Sequence, residues 1–157
     1  MTQGEFSKNG IVWENKSFEE LSAEELYELL ALRVEIFVVE QNCPYQELDY
    51  KDQHSYHMLC RKDGNLVAYL RMIEPGIAYE TPAIGRFVVK ESERRTGIGR
   101  ELLRLAVKTC AELWQCEAIT ISGQAYLYDF YTGEGFDPVE GPYLDDGIPH
   151  YKMKKTL

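Results

Sequence analysis

The chain has 157 residues, 45% of them in the hydrophobic set, which is the size of one domain and enough to bury a core. Its 26 acidic against 17 basic residues leave a formal charge of -9, which disfavours nonspecific attachment to nucleic acid or to an anionic membrane, since clustered Lys and Arg hold both. The amino terminus MTQGEFSKNG carries no apolar leader and no uninterrupted apolar run reaches membrane-spanning length, so the chain reads as a single-domain cytoplasmic protein.

After an opening strand, the first helix is predicted in LSAEELYELLALRVEIF. There Ser22 and Glu25 form a capping box, and Leu21 and Leu26 stand at the positions of a hydrophobic staple. SYHMLCRKDGNLVAYLRMIE is two alternating runs around Asp63-Gly64, the pattern of a β-hairpin. PGIAYETP follows as a loop and AIGRFVVK as a strand. From Glu91 onward the chain reads ESERRTGIGRELLRLAV, and Ile98, Leu102, Leu105, Ala106 and Leu113 recur with helical period, so a second helix starts near Gly97. EAITIS reads as a strand and AYLYDFYTGE as a short aromatic helix ended by glycine. FDPVE and HYKMKK read as two strands joined by the loop GPYLDDGIP. The resulting order of strands and helices is mixed α/β. The cysteines at 43, 60, 110 and 116 have neither Cys-x-x-Cys spacing nor the density of a disulfide framework and read as reduced thiols.

The second helix carries the chemistry. Two adjacent arginines and a Gly-x-Gly stand before its first turn, where unpartnered N–H groups and the positive end of the helix dipole favour an anion, phosphate first. Six basic residues lie between Lys90 and Lys108 against three acidic ones, concentrating positive charge there in an acidic chain. A P-loop needs Gly-Lys-Ser/Thr, but Gly99 is followed by Arg100; a dinucleotide fingerprint needs a small residue where Leu102 stands.

Arg94-x-x-Gly97-x-Gly99, with Val89 on the strand before it and an amphipathic helix after it, resembles the acyl-CoA motif of the GNAT superfamily of N-acetyltransferases. FYTGEGF matches that family's Tyr-x-x-x-Gly-Phe, with Tyr131, Gly135 and Phe136 in place. FVVEQNCPYQELDYKD and YLDDGIPHYKM resemble its ElaA-like subgroup. The resemblance spans nearly the whole chain. It implies a GNAT fold, a central mixed β-sheet flanked by helices and splayed near RFVV, and acetyl transfer from acetyl-CoA to a primary amine. Spacing suggests no nucleophilic Ser/His/Asp or Cys/His set, so direct attack by the amine is the simpler scheme.

The resemblance also implies residue roles. The backbone of Phe87, Val88 and Val89 would pair with the pantetheine amides. The N–H groups of Arg95, Thr96, Gly97, Ile98, Gly99 and Arg100 would surround the pyrophosphate, with Arg94 and Arg95 supplying charge. Gln124 and Tyr128 are weaker contacts to the pantetheine arm. Tyr131 would give a proton to the leaving thiolate. Many relatives place a glutamate on the strand before the phosphate turn; Arg86 stands there instead, so the base must come from elsewhere. An acidic stretch from Glu40 to Asp52 points to a cationic small amine, lysine or amino terminus as acceptor. Glu40, Asp49 and His54 are its expected contacts, His150 a rival base, and Arg86 a cation suited to an acceptor that also carries a carboxylate. His54 and His57 lack a third ligand fixed by spacing, so no metal is expected. A noncatalytic acyl-CoA-binding module would keep the phosphate turn without needing Tyr131.

Overall fold

The computed structural model describes residues 5–8 and 10–157, so the reading of the amino terminus as free of an apolar leader lies partly outside the described residues. Strands β1 (Glu5–Lys8), β2 (Ile11–Ser17), β3 (Ser55–Lys62), β4 (Asn65–Ile73), β5 (Ala83–Val89), β6 (Ala118–Gln124), β7 (Asp137–Asp145) and β8 (Ile148–Thr156) form one sheet in the order β1-β2-β3-β4-β5-β6-β8-β7. Helix α1 (Ala23–Val34) covers one face; α2 (Ile98–Trp114) and α3 (Tyr128–Gly133) are the other helices. No helix among the described residues is long and apolar enough to cross a membrane.

The capping box at Ser22 and Glu25 starts α1 as expected, with the Glu25 N–H bonded to the Ser22 hydroxyl at 3.0 Å. The helix ends at Val34 rather than Phe37 and widens into a π-helical turn over Glu35–Glu40. Two further expectations are corrected. A hairpin, β1 with β2, stands where a single strand was read before α1. GPYLDDGIP is not a loop: β7 and β8 run into it, and the turn shrinks to Asp146 and Gly147 at φ 51° and 78°, the left-handed pair that a two-residue hairpin requires.

Leu29, Leu32 and Ile36 pack with Leu59, Leu66, Tyr69 and Val88, while Ile98, Leu102, Leu103, Ala106 and Cys110 of α2 pack in a cluster with Leu70, Met72, Ile121 and Met153. Each fully buried leucine contributes about 1.5–3 kcal/mol. These two layers grip β5, whose parallel pairing to β6 extends only over Ala83↔Thr120 and Ile84↔Ile121. Beyond Ile84 the strands part. A bulge assists: Tyr69 pairs with Val88 and Arg71 with Gly85, leaving Arg86 and Phe87 opposite Leu70, and Arg86 takes φ 49°.

Candidate active site

A cleft of about 520 Å³ runs through this splay, from the turn before α2 to the tip of the β7–β8 hairpin. Its first end is built to receive an anion. Arg95 and Gly97 sit at φ 68° and 90°, and Gly97 caps α2 with no side-chain acceptor of its own. Among the described residues the first backbone bond of α2 runs from Glu101 to Gly97, and the N–H groups of Arg95, Thr96, Gly97, Ile98, Gly99 and Arg100 meet no backbone acceptor. A side chain at Gly99 would begin 3.3 Å from the Phe87 ring and from a Val89 methyl, so glycine lets this turn lie directly on β5. Among the described residues the edge of β5 from Gly85 to Val89 has no strand partner on the β6 side. Six free donors, a left-handed turn and an open strand edge fit a pyrophosphate continued by an amide-bearing chain.

The cations of the turn differ. Arg94 donates to both carboxylate oxygens of Glu40, at 2.7 and 3.0 Å, and through Nε to the Val89 carbonyl at 2.9 Å. Arg100 pairs with Glu134 at 3.2 Å, and Arg95 has no ion pair among the described residues. Phe87, Val88, Val89, Arg94, Arg95, Gly97, Gly99, Arg100 and Gln124 line the cleft. Among the described residues Thr96 and Ile98 keep free the main-chain N–H groups expected of them, while their side chains and Tyr128 lie outside the cleft. The Thr96 hydroxyl donates to the Glu93 carbonyl, the Ile98 side chain is core, and Tyr128 packs on the Tyr151 ring with centroids 4.8 Å apart.

Tyr131 lines the middle of the cleft and is 4% exposed. Its ring is wedged between Phe130 and Phe136 and lies against Gly123, where a Cβ would come within 2.5 Å of it. Its hydroxyl has no hydrogen-bond partner among the described residues, and burial raises its pKa, so it remains a neutral O–H donor. Across the cleft, Gln41 and Gln124 exchange two amide hydrogen bonds at 2.9 and 3.1 Å, tying the end of the π-helical turn to β6.

At the far end, His150 Nδ1 donates to the Ile148 carbonyl at 2.7 Å. A carbonyl only accepts, so the proton of neutral His150 is on Nδ1 and Nε2 keeps its lone pair. The ring stacks on Tyr143, whose hydroxyl shares a 2.5 Å bond with Ser122.

Arg86 also reaches the cleft, but its charge is met from behind. Its Nη2 donates to the Glu47 carbonyl at 2.7 Å and to Asp49 at 3.3 Å. Its Nε is 2.6 Å from the Glu47 carboxylate, too poorly aligned to donate, an ion pair without a hydrogen bond. Glu47 in turn takes a forked pair of bonds from Arg33, and Asp49 and Asp52 hold Arg71. Three arginines and three carboxylates thus balance, anchoring the loop after α1 to α1, β4 and β5. Burial alone would raise the Asp49 carboxyl; the bond and charge of Arg71, with Arg86, outweigh it and hold the group well below the ordinary carboxylate range. His57 seals the network, accepting from the Tyr69 hydroxyl at 2.6 Å and donating to the Asp52 carbonyl at 2.9 Å, and burial lowers its pKa to about 4.

This arrangement corrects part of the acceptor expectation. Asp49 serves the ion network, and His54 is half exposed beside Glu74 at 3.4 Å; neither lines the cleft. Glu40 turns to Arg94 of the anion turn. Arg86 and His150 do line the cleft. Sequence reasoning passed over Tyr45, Asp145, Asp146 and Gln41, which line it as well.

The model of the acetyltransferase (GNAT) domain matches residues 5–157. The chain belongs to the GNAT acetyltransferase family. Protein ElaA of Escherichia coli K12 is 40% identical over 94% of this chain and 97% of its own length. Among solved structures, an acyl-CoA N-acyltransferase from Pseudomonas aeruginosa superposes with a TM-score of 0.88 at 39% identity, covering 93% of this chain and 99% of that one. E. coli ElaA superposes with a TM-score of 0.87 at 39% identity, covering 92% and 99%. GNAT proteins use acyl-CoA, which accords with the anion turn and open β5 edge. The sequence resemblance and the GNAT α/β fold therefore stand.

Proposed function

We propose that this GNAT protein transfers an acetyl group from acetyl-CoA to a primary amine by direct attack. The observation that carries the reading is the run of six unpartnered N–H groups from Arg95 to Arg100, at one end of a cleft whose middle holds the unpartnered hydroxyl of Tyr131. Acetyl-CoA supplies the acetyl group in activated form, as a thioester.

The residues of the chain divide the remaining work. The amide run, Arg94 and Arg95 hold the pyrophosphate, and the main chain of Phe87 to Val89 aligns the pantetheine arm. An amine with a pKa of about 10 arrives protonated near neutrality and must lose that proton before its nitrogen can attack. His150 Nε2 accepts it, because the Ile148 carbonyl already holds the proton on Nδ1. The new C–N bond forms as the C–S bond breaks, and Tyr131 donates its hydroxyl proton to the departing sulfur. The nitrogen, cationic after attack, gives up its remaining extra proton through water to the Tyr131 oxygen, leaving a neutral amide, a free thiol and a restored phenol. A phenol near 10 is a weaker acid than a thiol near 8.5, so the transfer is uphill in water; the hydrogen bond nevertheless stabilises the thiolate as it develops. Gly123 sets where that hydroxyl stands.

The test is a screen of small amines, amino acids, amino sugars and lysine peptides with acetyl-CoA, detecting released thiol and the acetylated product by mass. The reading expects amine-dependent thiol release that Tyr131→Phe suppresses. CoA binding with no amine-dependent release from any class would reduce the protein to an acyl-CoA binder.

A further inference from the structure

The acceptor end of the cleft carries a charge that the fold does not balance. Asp145 and Asp146 line it at the hairpin tip, and neither carboxylate has an ion pair or hydrogen bond among the described residues. The nearby cation, Arg86, is not available to them, being paired with Glu47 and Asp49. Asp146 has a local reason to be aspartate, since it occupies the left-handed turn at φ 51°; Asp145 is a strand residue with no such demand. That this is a ligand cavity follows independently from Tyr131, a side chain more than nine-tenths buried whose unpartnered hydroxyl lines the same cleft.

The spacing is informative. His150 is paired with Tyr143, and Asp145 with Ile148, so the carboxylate rung lies two strand residues beyond the histidine rung. Two residues of strand are about 7 Å. A nitrogen poised at His150 is therefore separated from the carboxylates by a distance that an extended chain of about four to six carbons spans. Ile148, on the carboxylate rung itself, and Tyr45 add side-chain surface to the same cleft.

We propose that the acceptor is an amine bearing a second positive charge, a diamine or the like, whose distal cation is held by Asp145 and Asp146 while the reacting nitrogen lies at His150. The proposal rests on the acetyl-transfer reading for its reacting end and on the hairpin tip for its selectivity. The balanced ion network removes Arg86 as a competing charge, and the tip leaves two uncompensated negative ones. A monoamine fills only the reacting end. An amino acid of the same length places its carboxylate against Asp145.

Three acceptors of equal length separate these cases: 1,4-diaminobutane, n-butylamine and 4-aminobutanoate. Each is assayed for thiol release from acetyl-CoA, and 1,4-diaminobutane is also titrated calorimetrically into the CoA-loaded protein. The expected kcat/KM for the diamine exceeds that for butylamine at least tenfold, with 4-aminobutanoate lowest. Asp145→Asn/Asp146→Asn brings the diamine-to-butylamine ratio close to one. The single variant Asp145→Asn, away from the turn, lowers the ratio too, and asparagine at 146 keeps a residue that tolerates positive φ. Diamine binding that depends on Asp145 but yields no thiol would keep this cation site and remove the transfer reading. Equal efficiency for diamine and butylamine, a preference for 4-aminobutanoate, an unchanged ratio in both variants, or no diamine binding would each overturn the proposal.

Discussion

Gly123→Ala tests whether the position of Tyr131, rather than its presence, governs turnover. A Cβ at 123 would stand 2.5 Å from Tyr131 Cε2 and 2.9 Å from Cδ2, whereas ordinary contact begins at 3.4 Å, so the ring must retreat by about 0.9 Å. It has little room, being 4% exposed and packed on Phe130 and Phe136. Misplacing a catalytic group by about 1 Å lowers turnover about a hundredfold, or about 2.7 kcal/mol in the barrier. Overpacking also destabilises by about 1–3 kcal/mol, so kcat is read below the onset of melting. CoA affinity, set at the turn before α2, stays within about twofold of the parent value. A double-mutant cycle with Tyr131→Phe isolates the cause: once the hydroxyl is gone, adding Gly123→Ala costs little further rate. An unchanged kcat in folded Gly123→Ala, or full additivity of the two changes, would refute the argument.

Tyr131→Phe alone lowers kcat about ten- to a thousandfold and leaves CoA affinity unchanged, measured by thiol release and calorimetry. His150→Gln removes the base and lowers kcat about a hundredfold or more with CoA affinity unchanged, whereas a structural histidine would lower stability and leave kcat in place. Glu40→Gln releases Arg94 from a half-exposed ion pair worth under about 1 kcal/mol, so CoA affinity rises by up to about fivefold; Arg94→Glu lowers it at least about tenfold. His57 links stability to pH. Its pKa falls from 6.5 to about 4 on burial, so between these values the unfolded chain binds a proton that the folded one refuses, and stability drops as pH falls through that window. The loss reaches about 3 kcal/mol by pH 4 and is absent in His57→Gln; denaturant titrations at pH 7 and pH 5 check this, the parent losing about 2 kcal/mol between them and the variant none from this source. Asp49 and Asp52, whose carboxyls are held low, add their loss only below about pH 4.

The acyl-donor half of the cleft was legible because local rules make it. The capping box at Ser22, the Asp63-Gly64 turn and the helical period from Ile98 each fix an element within a few residues, and the Gly97-x-Gly99 turn is contiguous in sequence. The acceptor half is assembled from segments far apart, so acidity between Glu40 and Asp52 was read as a substrate wall when Glu47, Asp49 and Asp52 had three arginines to neutralise. A signal was present. Arg33 follows Leu29 and Leu30 by four and three residues, on the stripe that α1 buries, and an arginine there requires buried carboxylates. The unbalanced acids, Asp145 and Asp146, were hidden in a segment read as loop, because Gly141-Pro142 mimics a break that the strand passes through with bulges.

The central claim is that the free amides before α2 seat the pyrophosphate of CoA and that the open edge of β5 receives its arm. Backbone amide resonances followed by NMR during titration with CoA test this directly. The account predicts that the largest shifts, and new protection from exchange, fall on Arg95 to Arg100 and on Gly85 to Val89, and that Arg94→Glu weakens the whole set together. Saturable CoA binding that leaves those amides unmoved, or no binding at millimolar CoA, would contradict it.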